Sequence, residues 1–137
     1  MNIQTLAAHL ASQPFFRFAK LGTHAHEGQA HTLLGFDPFL KNHIGTLHAG
    51  ALFTAAQADA QACLQLALGD HPGVRIAGFA SHIAYKRPAK GPVWMRTTLN
   101  TLLPAQGEAT TSTVIHNQSN EPLAELTLRF ALVKEGA

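Results

Sequence analysis

Residues 42–69 read NHIGTLHAGALFTAAQADAQACLQLALG. The segment opens polar, with Asn42, His48, Gly45 and Gly50, and then runs from Ala49 to Leu68 with Asp59 as its only charged side chain. This second part has the length and composition of a helix, and Gly69 is a good stop. A helix with so little charge must be buried almost all round. Alanines at 49, 51, 55, 56, 58, 60, 62 and 67 keep helix propensity high and let neighbouring strands approach closely.

The rest of the chain says what buries it. Ile3, Leu6, Ala7 and Leu10 recur at helical spacing, and "FFRFAKLG" after Pro14 reads as a short aromatic helix or turn. Gly28 to Asp37 reads as a strand stopped by Asp37-Pro38. After the long helix the pattern is all strand. Val74–Tyr85 ends at Pro88, and Val93–Leu103 ends at Pro104 and Gly107. Glu108–His116 ends at "NQSN", and Leu123–Lys134 carries Ala124, Leu126, Leu128, Phe130 and Leu132 on one face. Short turns predict an antiparallel meander for the last three strands. A ferredoxin-like unit needs a second late helix and a parallel α/β fold needs alternation, and neither pattern is present. The expected class is α+β: a five-stranded, curved antiparallel sheet wrapped around a long central helix. No repeat or linker interrupts the chain. We expect one domain over 1–137, with a helical segment at 1–22 and a sheet-and-helix core at 28–134.

Composition narrows the function. Charged residues make up 13% of the 137, about half the usual ~25%, so self-association is the simplest cover for the apolar surface. A net charge of +2 without a run of Lys or Arg is no nucleic-acid signature. One cysteine, Cys63, excludes an internal disulfide and reads as a small core residue. No secretory leader or membrane-spanning run is visible, and a cytoplasmic protein is expected.

Two motifs carry chemistry. In "NHIGTLHAGALF", glycine at a helix start allows close approach of a ligand, and free N–H groups at the positive end of the helix suit a developing oxyanion. The alternative is structural: Asn42 shaping a turn, His48 a satisfied histidine, the glycines there for packing. In "YKRPAKGPV", Lys86, Arg87 and Lys90 form a basic loop that suits phosphates, or else a solvated turn. Arg96 is a further candidate cation, with a surface role as the alternative. His24, His26 and His31 are the nearest approach to a metal group. They lack helical spacing and a cysteine partner, so no metal is expected.

Together with the element order, the two motifs resemble those of the hotdog-fold acyl-CoA thioesterases, PaaI-like branch, over residues 28–134. The matches are Asn42, Gly45, His48 and Gly50, then Tyr85, Pro88, Ala89 and Gly91. The resemblance implies a hydrolase acting on a small acyl- or aryl-CoA, with coenzyme A present only as part of the substrate and no cofactor required. It also implies a homodimer or dimer of dimers with sites at the dimer interface. On that reading the Gly50 N–H polarises the thioester carbonyl, His48 donates to or orients the thioester, Asn42 holds water, and Lys86, Arg87 and Lys90 clamp the coenzyme.

One departure stands out. The acid that the family carries nine residues after the motif histidine is Gln57 here, and Ala49 replaces a glycine. An amide cannot act as a general base, though it can hydrogen-bond water or substrate. A non-catalytic or very slow acyl-CoA-binding protein is therefore the alternative. A hydratase ranks third, because no Asp and His pairing stands where that chemistry needs it. Asp59 lies about 200° round the helix from Gln57 and is expected to be a buried carboxylate with a local partner. Asp37, before a proline near the motif, is a distant second candidate for the missing acid, with a turn former as the alternative, and Glu108 and Glu125 are expected to face outward.

Overall fold

The computed structural model describes residues 1–69, 71, 73–103 and 107–135. The expected stop at Pro104 lies outside them. The elements are α1 (Ile3–Ala11), α2 (Pro14–Phe18), β1 (Gly22–His26), β2 (Gln29–Leu34), α3 (Ala49–Leu68), β3 (Val74–Tyr85), β4 (Val93–Leu99), β5 (Glu108–Asn117) and β6 (Pro122–Lys134). A 3₁₀ turn at Pro38–Leu40 precedes α3. The six strands form one antiparallel sheet in the order β1-β2-β4-β5-β6-β3, curved around α3.

The helix and the late strands fall where the pattern puts them. The inner face of β6 (Ala124, Leu126, Leu128, Phe130 and Leu132) is buried against α3, together with Leu34, Val93, Met95 and Ile115. Each such aliphatic or aromatic side chain contributes ~1.5–3 kcal/mol by leaving water. A second cluster seats α1 and α2 on the other side of α3 through Leu6, Leu10 and Phe16 against Ala30, Ala58 and Ala62. Alanine on α3 is what allows both layers to come so close. Asn2 caps α1, its Oδ1 accepting from the Thr5 N–H at 2.7 Å.

Three expectations need correction. The sheet has six strands, because the region read as one strand from Gly28 is the second arm of a hairpin. Strand β1 has no apolar alternation to announce it, and its Thr23, His24 and His26 look like loop residues. The hairpin closes through Glu27 and Gly28, both at positive φ (50° and 78°), the geometry of a two-residue hairpin turn. Second, β4 stops at Leu99, short of Leu103. Third, Gly69 ends α3 in right-handed geometry (φ −55°), not in the left-handed conformation typical of glycine stops.

Helix α3 is not buried all round. Leu52, Ala55, Ala56, Asp59, Ala60 and Leu64 are buried, whereas Phe53, Gln57, Gln61 and Gln65 form a half-buried to exposed stripe at four-residue spacing. Strand β3 lies at the sheet edge. It pairs with β6 along one side over Val74–Tyr85, with a bulge between Ile76 and Gly78.

Candidate active site

The fold brings the two motifs together. The loop 42–48 is built by Asn42, whose Oδ1 accepts from the N–H groups of Ile44 and Thr46 at 3.1 Å while its Nδ2 donates to Thr46 Oγ1 at 2.8 Å. Gly45 provides the positive φ (81°) that this tight loop requires. The Leu47 N–H then donates to the carbonyl of Ala89 at 2.9 Å, and the Tyr85 hydroxyl donates to the carbonyl of Ala49 at 2.9 Å. These two bonds dock the basic loop on the start of α3. Between them lies a cleft of about 300 Å³ lined by residues that include Asn42, Ala49, Tyr85, Lys86, Arg87 and Ala89.

His48 is the N-cap of α3. Its Nδ1 accepts from the Gly50 N–H at 2.9 Å. The neutral imidazole therefore carries its proton on Nε2, and the exposed ring presents a donor. The Gly50 N–H, expected to be free for an oxyanion, is engaged by His48 in this conformation. A Cβ at position 50 would lie 3.1 Å from His48 Nδ1, so a side chain there would press on the exposed imidazole.

The other candidates separate. Gln57 sits on the half-buried stripe of α3, away from this cleft; at 1.5 Å per residue it lies ~13 Å along the axis from His48. Arg87 pairs with Glu121 at 2.9 Å, both more than half exposed or close to it, a countercharge that the sequence did not suggest. Lys90 lies on the far side of Pro88, in a neighbouring groove of about 490 Å³ that it shares with Arg87 and Glu121. Asp37 is a turn former, accepting from the Phe39 N–H at 2.9 Å and pairing with Lys20 at 3.0 Å; these contacts hold its carboxyl below the usual range. Cys63 is half-buried, and burial pushes its thiol up, away from nucleophilic use.

Asp59 faces the sheet and is 4% exposed. Its Oδ1 accepts from the N–H and Oγ1 of Thr32 at 3.0 and 2.8 Å, and its Oδ2 accepts from Thr97 Oγ1 at 2.6 Å. Burial pushes its carboxyl up from the ordinary 3.8, against the pull of these donors. His24, His26 and His31 do come together, packed with His116 around the ring of Trp94 at centroid distances of 4.5–5.1 Å. Among the described residues no group of three or more His, Cys, Asp or Glu is arranged to hold a metal ion, and no helix is long and apolar enough to cross a membrane.

An antiparallel sheet wrapped on one long helix is the hotdog fold. Solved structures bear this out. A thioesterase of Haemophilus influenzae superposes with a TM-score of 0.82 at 17% identity, over 98% of this chain and 92% of that one. A mutant thioesterase of Pseudomonas aeruginosa gives 0.79 at 14% identity, over 98% and 95%. A Bacillus halodurans protein crystallised with CoA gives 0.75 at 13% identity, over 97% and 91%. By sequence, the chain belongs to the DUF4442 family, a domain of unknown function, whose model matches residues 4–129. No curated protein matches it.

Proposed function

We propose that the protein is an acyl-CoA thioesterase of the PaaI-like kind, one hotdog domain acting on a small acyl- or aryl-CoA in the cytoplasm. The observation that carries this reading is the docking of the basic loop on the start of α3 through the Tyr85–Ala49 and Leu47–Ala89 bonds. It sets cations from Lys86 and Arg87 beside the positive end of a helix, the arrangement a phosphate-bearing thioester needs. The CoA in the Bacillus halodurans structure supports the substrate class. No cofactor is needed for such a hydrolysis.

In this reading the thioester oxygen takes the place of His48 Nδ1 at the Gly50 N–H. Rotation of the exposed imidazole frees the amide, and Nε2–H becomes a second donor to the developing oxyanion. Asn42 holds the loop in shape and has one amide proton left for water. Gln57 belongs to the site of a second copy, because one helix cannot bring His48 and Gln57 to the same atom. The half-buried stripe of α3 and the open edge of β3 are the faces by which two copies would join, as a dimer or a dimer of dimers. Lys90 extends the phosphate contacts on the far side of Pro88.

Gln57 favours a second reading, an acyl-CoA-binding protein with little or no turnover. Hydrolysis measured over a panel of acyl- and aryl-CoA esters, with binding measured in parallel, separates the two. Turnover on at least one ester supports the thioesterase. Binding without turnover selects the binding protein, and neither binding nor turnover removes both. A monomer at micromolar concentration in sedimentation would remove the shared-site geometry.

A further inference from the structure

Strands β2 and β4 are neighbours in the sheet, yet their pairing covers only Leu33 with Trp94 and Leu34 with Val93. Beyond that point they part. The ladder-facing N–H groups of β2 find other acceptors: that of Ala30 donates to the carbonyl of Met1 at 3.0 Å, and that of Thr32 to Asp59 Oδ1. Asp59 thus stands in for the missing stretch of β4, tied to both strands at once by Thr32 and Thr97. Behind the gap is a cavity of about 500 Å³, lined by residues that include His26, His31, Asp59, Cys63, Arg96 and Thr97. Among the described residues it shares none with the cleft at the start of α3. Cys63 lies ~20 Å from Gly50 along the helix.

We infer that this gap is a second ligand site, for a small organic monocarboxylate. A volume of this size suits a small molecule, within the ~300–1,000 Å³ of ordinary ligand pockets. Both signs of charge face it: the exposed carboxylate of Glu27 lines the cavity with Arg96 and His26, and the donors outnumber it. Arg96 meets Glu27 only at 3.9 Å, beyond hydrogen-bond reach, so its guanidinium fork is open to a carboxylate. The imidazoles of His26 and His31 stand beside it. Asp59 is already occupied by three donors and holds the strands apart. Its hydrogen bonds go to Thr32 and Thr97, whereas the carboxylate paired with Arg96 is that of Glu27. Ala30 and Cys63 form an apolar wall where a short hydrocarbon body fits.

The chain carries its own reporter. Trp94 is the sole tryptophan, and its ring packs against His26 at 4.6 Å and His31 at 5.1 Å. The test is titration of the full-length protein with sodium butyrate and sodium cyclohexanecarboxylate, each against its neutral amide, followed by Trp94 emission and by calorimetry. The expected result is saturable binding of the acids with Kd of ~1 mM or tighter and no binding of the amides. Arg96→Gln, at an exposed position, should weaken it about tenfold or more, the worth of a charge-assisted contact. Changing Lys86, Arg87 and Lys90 to Ala should leave it unaltered, which keeps this site distinct from the proposed coenzyme site. Amides binding as well as acids, equal affinity in Arg96→Gln, no saturable signal, or a response to Zn²⁺ alone would each overturn the inference.

Discussion

Asp59 offers the sharpest test of how this sheet is held together. Replacing it with Ala removes three hydrogen bonds. The Thr97 hydroxyl has an alternative, since it already meets Thr113 Oγ1 at 2.7 Å. The Thr32 N–H cannot turn, and a buried donor left without a partner costs ~1–3 kcal/mol. Because the adjoining cavity can admit water to that N–H, the top of the range is not reached, and we expect a loss of about 2 kcal/mol in all. For a chain of this length that lowers Tm by several degrees, roughly 5–10 °C. Asp59→Asn is expected to behave differently. Its Oδ1 can accept from Thr32 as before, and its Nδ2 can donate to Thr97, which then donates to Thr113. The pH dependence fixes the sign. Burial holds the Asp59 carboxyl above its ordinary 3.8, so the folded chain keeps that proton to higher pH than the unfolded chain. This group's contribution is then complete below pH 3.8 and is lost as pH rises through the folded value. Asparagine has no such proton. Urea denaturation between pH 4 and 8 should show the Asn variant gaining on the parent as pH rises. A difference that stays constant or shrinks with rising pH would falsify the assignment of Asp59 as a carboxylate destabilised by burial.

Three further outcomes follow from the proposed site. Gln57→Glu should raise thioesterase turnover by an order of magnitude or more, since a positioned base is worth ~10²–10⁴; initial rates on the best ester check this, and no gain means Gln57 does not face the thioester. Glu121→Gln should tighten CoA binding by freeing Arg87 from its 2.9 Å partner, while Arg87→Ala with Lys90→Ala should weaken it and flatten its salt dependence; calorimetry at two ionic strengths reads both. Gly50→Ala should leave stability within ~1 kcal/mol, because the gain in helix propensity offsets the loss of the His48 cap, yet it should lower kcat by crowding the amide that the thioester oxygen needs.

The long helix was legible because its composition is extreme: one charge in twenty residues admits few environments. The late strands were legible because apolar side chains alternate along them, as in Leu126, Leu128 and Phe130. Strand β1 was not, since its outward side chains are histidines that pack on Trp94, and period-two patterning reads only apolar residues. The direction of Asp59 followed from helix geometry, and so did its separation from Gln57. Its two partners did not, because Thr32 and Thr97 are ordinary strand residues whose relation to position 59 exists only after the sheet has closed.

The same limit explains the site. Motif residues such as Asn42 and His48 could be found by spacing, but spacing cannot say whether a polar group is free or spent. Asn42 spends three of its hydrogen-bonding opportunities on its own loop, and His48 spends Nδ1 on Gly50. A loop that satisfies itself in this way is stable without substrate, which keeps the helix start in shape while the pocket is empty. In the proposed reaction it also sets a condition on catalysis. The Gly50 amide becomes available only when His48 gives it up, so a substrate must offer the amide an acceptor at least as good as an imidazole nitrogen. A thioester carbonyl is a weaker acceptor in the ground state, but its oxygen gains full negative charge in the tetrahedral intermediate. On that proposal the exchange of His48 for substrate is favoured most when the oxyanion forms, which is the differential binding that lowers a barrier.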